Sequence, residues 1–422
     1  MIMYFKNKPR ILIRAFTCRR DVASALILEK CLKFLGCEVI VSSIRDFSRN
    51  LKYWKPDVAV SNVLNTSYHV KKINSNIKTV FFDGEGLLPN DMSHHITLKN
   101  NPHLMKSIDM YLLWGDVVFK EIKSAFPHLK NIHVVGWSNL DFIRYNSWDI
   151  NKKTIGFVMR SPVINDHQGV PTIRTICNPG NLGRVKQQCE SFVTSFECIK
   201  EILEKTSYNV SIRPHPLEQI DSYNKYKNFW FKENASRVKV DETLCFAEWL
   251  MSQKLIVSPT STSSLEAYLL KVPIINIDFL AGNVEMNREH AQCCAEWQDL
   301  AYLPKTLEEL IKLINSPDCK VKNDEIIEKQ LQNYCNWHVP GSYSLRASKL
   351  IRDLIPIKSG LKIRFPTFLI KLFDEYSFWK QCKINPLHPN LNYKKNFHKP
   401  VKELDKIFLN IMNDKNNYNL NN

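Results

Sequence analysis

A chain of 422 residues is long for a single hydrophobic core, so two domains of ordinary size are expected. Its 44% hydrophobic and 24% charged residues fit a globular protein and exclude wholesale disorder. A formal charge of +16 calls for an anionic partner (nucleic acid, an anionic membrane surface or a phosphate-bearing substrate), unless the lysines only solubilise the surface.

The opening puts Lys and Arg on both sides of a short apolar run, which reads as a strand over 10–16 and not as a secretory signal. Residues 21–35 carry apolar side chains at helical spacing and stop at Gly36, a C-terminal signal. Short apolar runs follow at 37–42, 57–62, 79–82, 110–114 and 133–135. Strands separated by helix-length segments imply crossover connections and a parallel sheet. A polar linker is expected at 146–151, after which the pattern restarts. Strands are expected at 153–159, 210–213, 255–258 and 272–277, with helices at 191–205, 244–251, 263–270 and 306–315. The expected architecture is α/β, with two Rossmann-like doubly wound domains, 1–150 and 151–350, facing a cleft, and a helical basic extension over 351–422.

No apolar stretch approaches the roughly 18–20 residues that a membrane span needs, so a cytoplasmic protein is expected. The twelve cysteines are scattered without a Cys-x-x-Cys pair, and adjacent Cys293 and Cys294 are poorly placed to chelate one metal. They read as reduced thiols.

Three places carry chemistry. From Ser258 to Ser264, six of seven residues bear hydroxyls, at the passage from a strand into a helix. One N-cap would need only one of them. The excess, with free N–H groups expected at the helix start, suits a phosphate. Arg213-Pro214-His215-Pro216 ends a strand, and the prolines fix where the His215 ring emerges. An imidazole there can donate to a phosphate or protonate a leaving group, although a lone His is more often structural. Asp83-Gly84-Glu85-Gly86 follows a strand of the first domain, where its acids could act as a general base or merely cap a turn.

The acidic turn, the His-Pro pair and the Ser/Thr run resemble the acidic, HP and S motifs of bacterial sialyltransferases and Kdo transferases. Arg20-Asp21, Trp114-Gly115 and Val134-Val135-Gly136 with Asp141 are similar to elements of the wider group of bacterial surface-carbohydrate biosynthesis proteins; the Pro-Arg that this group carries before the Asp is replaced here by Ser138-Asn139. The resemblance covers roughly residues 10 to 350 and implies a GT-B glycosyltransferase with an N-terminal acceptor domain and a C-terminal donor domain. It implies Glu85 or Asp83 as the base, and His215 as the contact to the nucleotide phosphate. Arg213, Ser258, Thr260, Ser261, Thr262, Ser263 and Ser264 would bind nucleotide and phosphate, and Glu266 would hold the ribose. The family motif begins with two adjacent acids, whereas Gly84 separates them here, which leaves the base divided between the two.

The implied reaction is an inverting displacement at the anomeric carbon of a CMP-activated acidic sugar. It needs no cofactor and no metal, and the acceptor would be a glycan or lipid-linked glycan. The HP and Ser/Thr elements also resemble those of teichoic-acid polymerases, which transfer a polyol phosphate from a CDP-activated donor. A nucleic-acid binder is disfavoured, because no helix-turn-helix, zinc-finger or ribonucleoprotein signature is present.

From residue 351 onward, thirteen Lys and Arg stand against six acids. Phe365, Phe368, Phe373, Tyr376, Phe378, Trp379, Tyr393 and Phe397 are interleaved with them. Such a segment can lie on an anionic inner leaflet, giving a peripheral enzyme, or pack back onto the first domain as GT-B chains often do.

Overall fold

A computed structural model of the protein describes residues 8–15, 17–84, 102–146, 154–165, 172–177, 182–282, 300–322, 325–355, 366–384, 401 and 403–417. The chain divides into two compact units, Met1–Asn146 with Gln330–Asn422, and Ser147–Lys329.

Unit 1 is built on six parallel strands, β1 (Arg10–Ala15), β2 (Glu38–Ser43), β3 (Val58–Ser61), β4 (Lys78–Phe82), β5 (Met110–Leu113) and β6 (Ile132–Val134). Their order is β2-β1-β3-β4-β5-β6. The strands are apolar along most of their length because helices cover both faces of a parallel sheet. Leu12 of β1 stands opposite Ile40 of β2 on one side and Ala59 of β3 on the other. These three pack with Phe47, Leu51, Trp54 and Val70 from the covering helices Ile44–Trp54 and Leu64–Ile73. The first of those helices starts at Ser43, whose hydroxyl accepts the Asp46 N–H.

Unit 2 carries five parallel strands, β7 (Thr154–Val158), β8 (Asn209–Arg213), β9 (Val238–Val240), β10 (Leu255–Ser258) and β11 (Ile274–Asn276), in the order β11-β10-β7-β8-β9. The long helix Leu182–Lys205 lays Phe196, Ile199, Ile202 and Leu203 against Phe157, Val210 and Ile212 of the sheet. In both units the order of strands turns back beside the first strand, between β1 and β3 and between β7 and β10. Open α/β sheets bind ligands at the carboxyl ends of the strands that flank such a point.

Residues 330–350, expected with the second domain, pack with unit 1 instead, and the described helices beyond residue 351 lie on it as well. Helix Tyr343–Asp353 lies on helix Cys18–Phe34. Helix Leu404–Asn413 lies on that same helix, with Phe408 edge-on to Phe34. Helix Thr367–Ile384 covers Ile44–Trp54, inserting Ile370 beside Trp54. These contacts join residues hundreds of positions apart, which periodicity in a local window cannot register.

Candidate functional site

At the unit 2 turning point, Arg160 follows β7 and donates through Nη1 to the Thr260 carbonyl at 2.6 Å, joining the ends of β7 and β10. Thr260 is itself held by Asp278. Its N–H donates to Oδ2 at 3.0 Å, its hydroxyl donates to the same oxygen, and Asn276 Nδ2 donates to Thr260 Oγ1 at 3.0 Å. The buried Ser258 hydroxyl donates to the Pro259 carbonyl at 2.6 Å. Ser258 and Thr260 therefore shape the loop. Burial pushes the Asp278 carboxyl above the ordinary aspartate range, against the pull of the Thr260 and Asn276 donors.

The helix that follows, Ser263–Leu269, is short, and its start is not open as expected. Ser261 Oγ accepts the Ser263 N–H at 3.3 Å and the Ser263 hydroxyl at 2.9 Å. The N–H groups of Ser264 and Leu265 bond back to the carbonyls of Ser261 and Thr262, both at 3.1 Å. Three N–H groups that an anion would use are thus taken within the turn. What the loop presents outward is hydroxyls: Thr262 is exposed, Ser261 and Ser263 are half-buried, and Ser264 is buried.

Arg213, expected at the phosphate, is buried, and its guanidinium is engaged by the Asp241 carboxylate and by Thr243, through the carbonyl at 2.6 Å and the hydroxyl at 2.8 Å. Its charge also acts on Glu266, which is 6% exposed. Burial pushes the Glu266 carboxyl up to about 8, with Arg213 opposing the shift.

His215 lies half-buried at the carboxyl edge of β8. The Leu217 N–H donates to its Nδ1 at 3.2 Å, so the neutral ring carries its proton on Nε2. Buried Glu218 accepts the Ser161 N–H at 2.7 Å, the His215 N–H at 3.3 Å and the Tyr223 hydroxyl, tying the His215 turn to the end of β7. Sequence reasoning missed Arg160 and Glu218. Glu218 stands three residues after His215, at the spacing of a side chain that closes a turn. Arg160 follows a predicted strand end, where a cation reaches the ligand edge.

In unit 1 a small cavity of about 40 Å³ opens at the ends of β1, β3 and β4, with Arg14, Arg20, Asp21, Asn62, Asp83 and Ser138 in its wall. Asp83 is 4% exposed; its N–H donates to the Leu112 carbonyl at 2.9 Å and its carbonyl accepts Trp114 Nε1–H at 2.6 Å. The buried Oδ1 of Asn62 has no hydrogen-bond partner among the described residues. A Cβ on Gly84 would meet Asn62 Nδ2 at 2.8 Å, so a larger residue between the two acids requires the Asn62 side chain to shift. Glu85 lies outside the described residues. Among the described residues, no group of three or more His, Cys, Asp or Glu could hold a metal.

No protein-family model matches the chain, and no curated protein matches it. Solved structures do. Wall teichoic acid polymerase TagF matches with a TM-score of 0.51 at 13% identity, over 82% of this chain and 88% of TagF. UDP-GlcNAc 2-epimerase of Methanocaldococcus jannaschii, in complex with UDP-GlcNAc and UDP, has a TM-score of 0.48 at 16% identity, over 82% of this chain and 99% of its own. MnaA of S. aureus with UDP has a TM-score of 0.48 at 13% identity, over 85% and 100%. The fold is GT-B.

Several residues that the sequence resemblance singled out serve this GT-B fold directly. Asp141 is fully buried and accepts the Ser342 hydroxyl at 2.9 Å and the N–H groups of Tyr343 and Ser344 at 3.0 and 2.8 Å, capping helix Tyr343–Asp353. Gly136 has φ +90°, and a Cβ there would run into the Tyr343 ring. A Cβ on Gly115 would strike the backbone of Asn333 and Tyr334. Asp21 reaches back to the Thr17 N–H at 2.7 Å and pairs with Arg20 at 3.0 Å, closing the start of helix Cys18–Phe34.

Proposed function

We propose that this chain is an inverting glycosyltransferase that moves a nucleotide-activated sugar, with a CMP-linked acidic sugar as the first candidate, onto a glycan or lipid-linked glycan acceptor of a surface polysaccharide. One observation carries the reading. Arg160, the Nε2–H side of His215 and the hydroxyls of Ser261, Thr262 and Ser263 belong to the carboxyl ends of three neighbouring strands at the turning point of unit 2. Cationic and O–H donors at such a point suit the diphosphate or phosphodiester of a nucleotide.

In this scheme a carboxylate of unit 1, Glu85 or Asp83, takes the proton of the acceptor hydroxyl. The acceptor oxygen attacks the anomeric carbon as the bond from that carbon to the phosphate oxygen breaks, and the nucleotide leaves with the bonding pair. Arg160 and His215 meet the negative charge that develops on the phosphate, so the scheme calls for no metal and no cofactor. Glu218 holds the His215 turn, and Glu266 is assigned to the ribose. The proposed place of work is the cytoplasm at the inner face of the membrane. Among the described residues, no helix is long and apolar enough to cross a membrane.

A second reading is transfer of a polyol phosphate from a CDP-activated donor, favoured by the match to wall teichoic acid polymerase TagF. The same donor-side groups serve it, but the bond broken is P–O and not C–O. Incubation with a panel of CMP- and UDP-activated sugars and CDP-activated polyols separates the two. Release of CMP with free or transferred sugar supports the first, and CMP with polyol phosphate the second. Release of nucleotide from none of them by folded protein would overturn both.

A further inference from the structure

Asp278 is buried two residues beyond β11, and a buried carboxylate destabilises a fold unless its charge is answered. Its Oδ2 accepts three donors: the Thr260 N–H at 3.0 Å, the Thr260 hydroxyl, and Asn276 Nδ2 at 3.2 Å. Its own N–H donates to Asn276 Oδ1 at 2.8 Å, and Asn276 Nδ2 also reaches Thr260 Oγ1 at 3.0 Å. Thr260 is thereby gripped by backbone and side chain at once, and its carbonyl takes Arg160 Nη1 at 2.6 Å. A line of hydrogen bonds runs from the end of β11, through the loop after β10, to the cation after β7. Oδ1 of Asp278 has no hydrogen-bond partner among the described residues. Burial raises the carboxyl, and the Thr260 and Asn276 donors and the Arg160 guanidinium oppose that shift.

We infer that Asp278 is a positioning residue for the donor phosphate: acting through Thr260, it fixes the place from which Arg160 meets that phosphate. That role rests on the donor-side reading above, in which Arg160 touches the phosphate, and adds to it a residue that touches neither donor nor acceptor. Arg160 is half-buried and carries a long side chain. A guanidinium anchored in advance meets an anion without first losing its rotamer freedom. A bond to a carbonyl orients it only as firmly as that carbonyl is itself held. The Thr260 carbonyl belongs to a loop, and Asp278 with Asn276 is what holds the residue that bears it. Filling this sheet edge for stability alone calls for an apolar side chain or a neutral amide, not for a charge.

The test is a double-mutant cycle read by calorimetric titration of CMP, CDP and UDP onto the full chain. Arg160→Ala is expected to weaken nucleotide binding at least about ten-fold, the scale of a lost charge-assisted bond. Asp278→Asn, which keeps the size and removes the charge, should weaken it about five-fold in a protein that still unfolds cooperatively. The double variant should bind no more weakly than Arg160→Ala alone, because the aspartate works through the arginine. Thr260→Val, close in shape and without the hydroxyl, should give the same non-additive pattern, and it carries the cycle if Asp278→Asn does not fold. Losses that multiply in the double variant would overturn the proposal and make Asp278 a structural residue. Wild-type affinity in folded Asp278→Asn and Thr260→Val would overturn it too. A wild-type protein that binds none of these nucleotides overturns it together with the donor site. A non-additive cycle in a protein that turns over no activated donor supports Asp278 in this role and overturns the transferase reading alone.

Discussion

Replacing Glu266 with Gln isolates the electrostatic cost of a buried carboxyl in the donor unit. The side chain is 6% exposed, and its folded pKa of about 8 stands against an ordinary value of 4.5. Between these values the unfolded chain has lost the proton while the folded chain keeps it. The folded state then binds more protons, so this group's contribution to stability is fully present below pH 4.5 and is lost as pH rises toward 8. At about 1.36 kcal/mol per pH unit, the loss by pH 7 is on the order of 3 kcal/mol. Gln cannot ionise and keeps the shape of the protonated acid, so the variant escapes the loss. Its amide adds a donor that shifts the baseline by a constant, so the informative quantity is how the difference between the two proteins changes with pH. Thermal unfolding from pH 5 to 8 should show the variant gaining on wild type. By pH 7 the widening should be about 6 to 12 °C for a unit of this size. Two curves that stay parallel across that range would refute the burial argument and mean that Glu266 is already ionised in the folded unit.

His215→Ala is expected to lower turnover about 10²-fold or more with folding intact, the scale of losing an acid or an anion donor, and wild-type turnover would remove His215 from the mechanism. Glu85→Gln and Asp83→Asn should separate in single-turnover assays: the variant lacking the base loses the transfer step while donor affinity holds, and Glu85 is the expected one. If both transfer normally, the acidic turn is structural. Activity should persist in EDTA, because the scheme neutralises the leaving phosphate with side chains; loss that Mg²⁺ or Mn²⁺ restores would contradict it. Asp141→Ala should destabilise the protein by about 3 kcal/mol or more in denaturant unfolding, since it strands two buried N–H groups and a hydroxyl. Reduced turnover at unchanged stability would instead give Asp141 a chemical role.

The sequence by itself determined the elements whose signals are local. The buried strands are short apolar runs, and the helices between them forced parallel pairing. The hydroxyl run after β10 and the His-Pro pair after β8 could be placed at carboxyl edges from their neighbours alone. Tertiary structure decided which polar groups remain for a ligand. Arg213 looked like a phosphate contact until Asp241, 28 positions on, took its guanidinium. The hydroxyl run, which reads as an open helix start, is closed instead by local bonds within its own turn, which take the N–H groups of Ser263, Ser264 and Leu265. Arg160 and Glu218 carried only weak signals, a strand end and a turn spacing; they acquired a place when β7 settled between β8 and β10. Asp141 likewise meets Ser342, Tyr343 and Ser344 some 200 positions away, which drew residues 330–350 into unit 1. Hydrophobic periodicity repeats within one element and can be read along the chain, whereas a buried hydrogen bond is fixed by whichever distant donor or acceptor the packed sheet brings within about 3 Å.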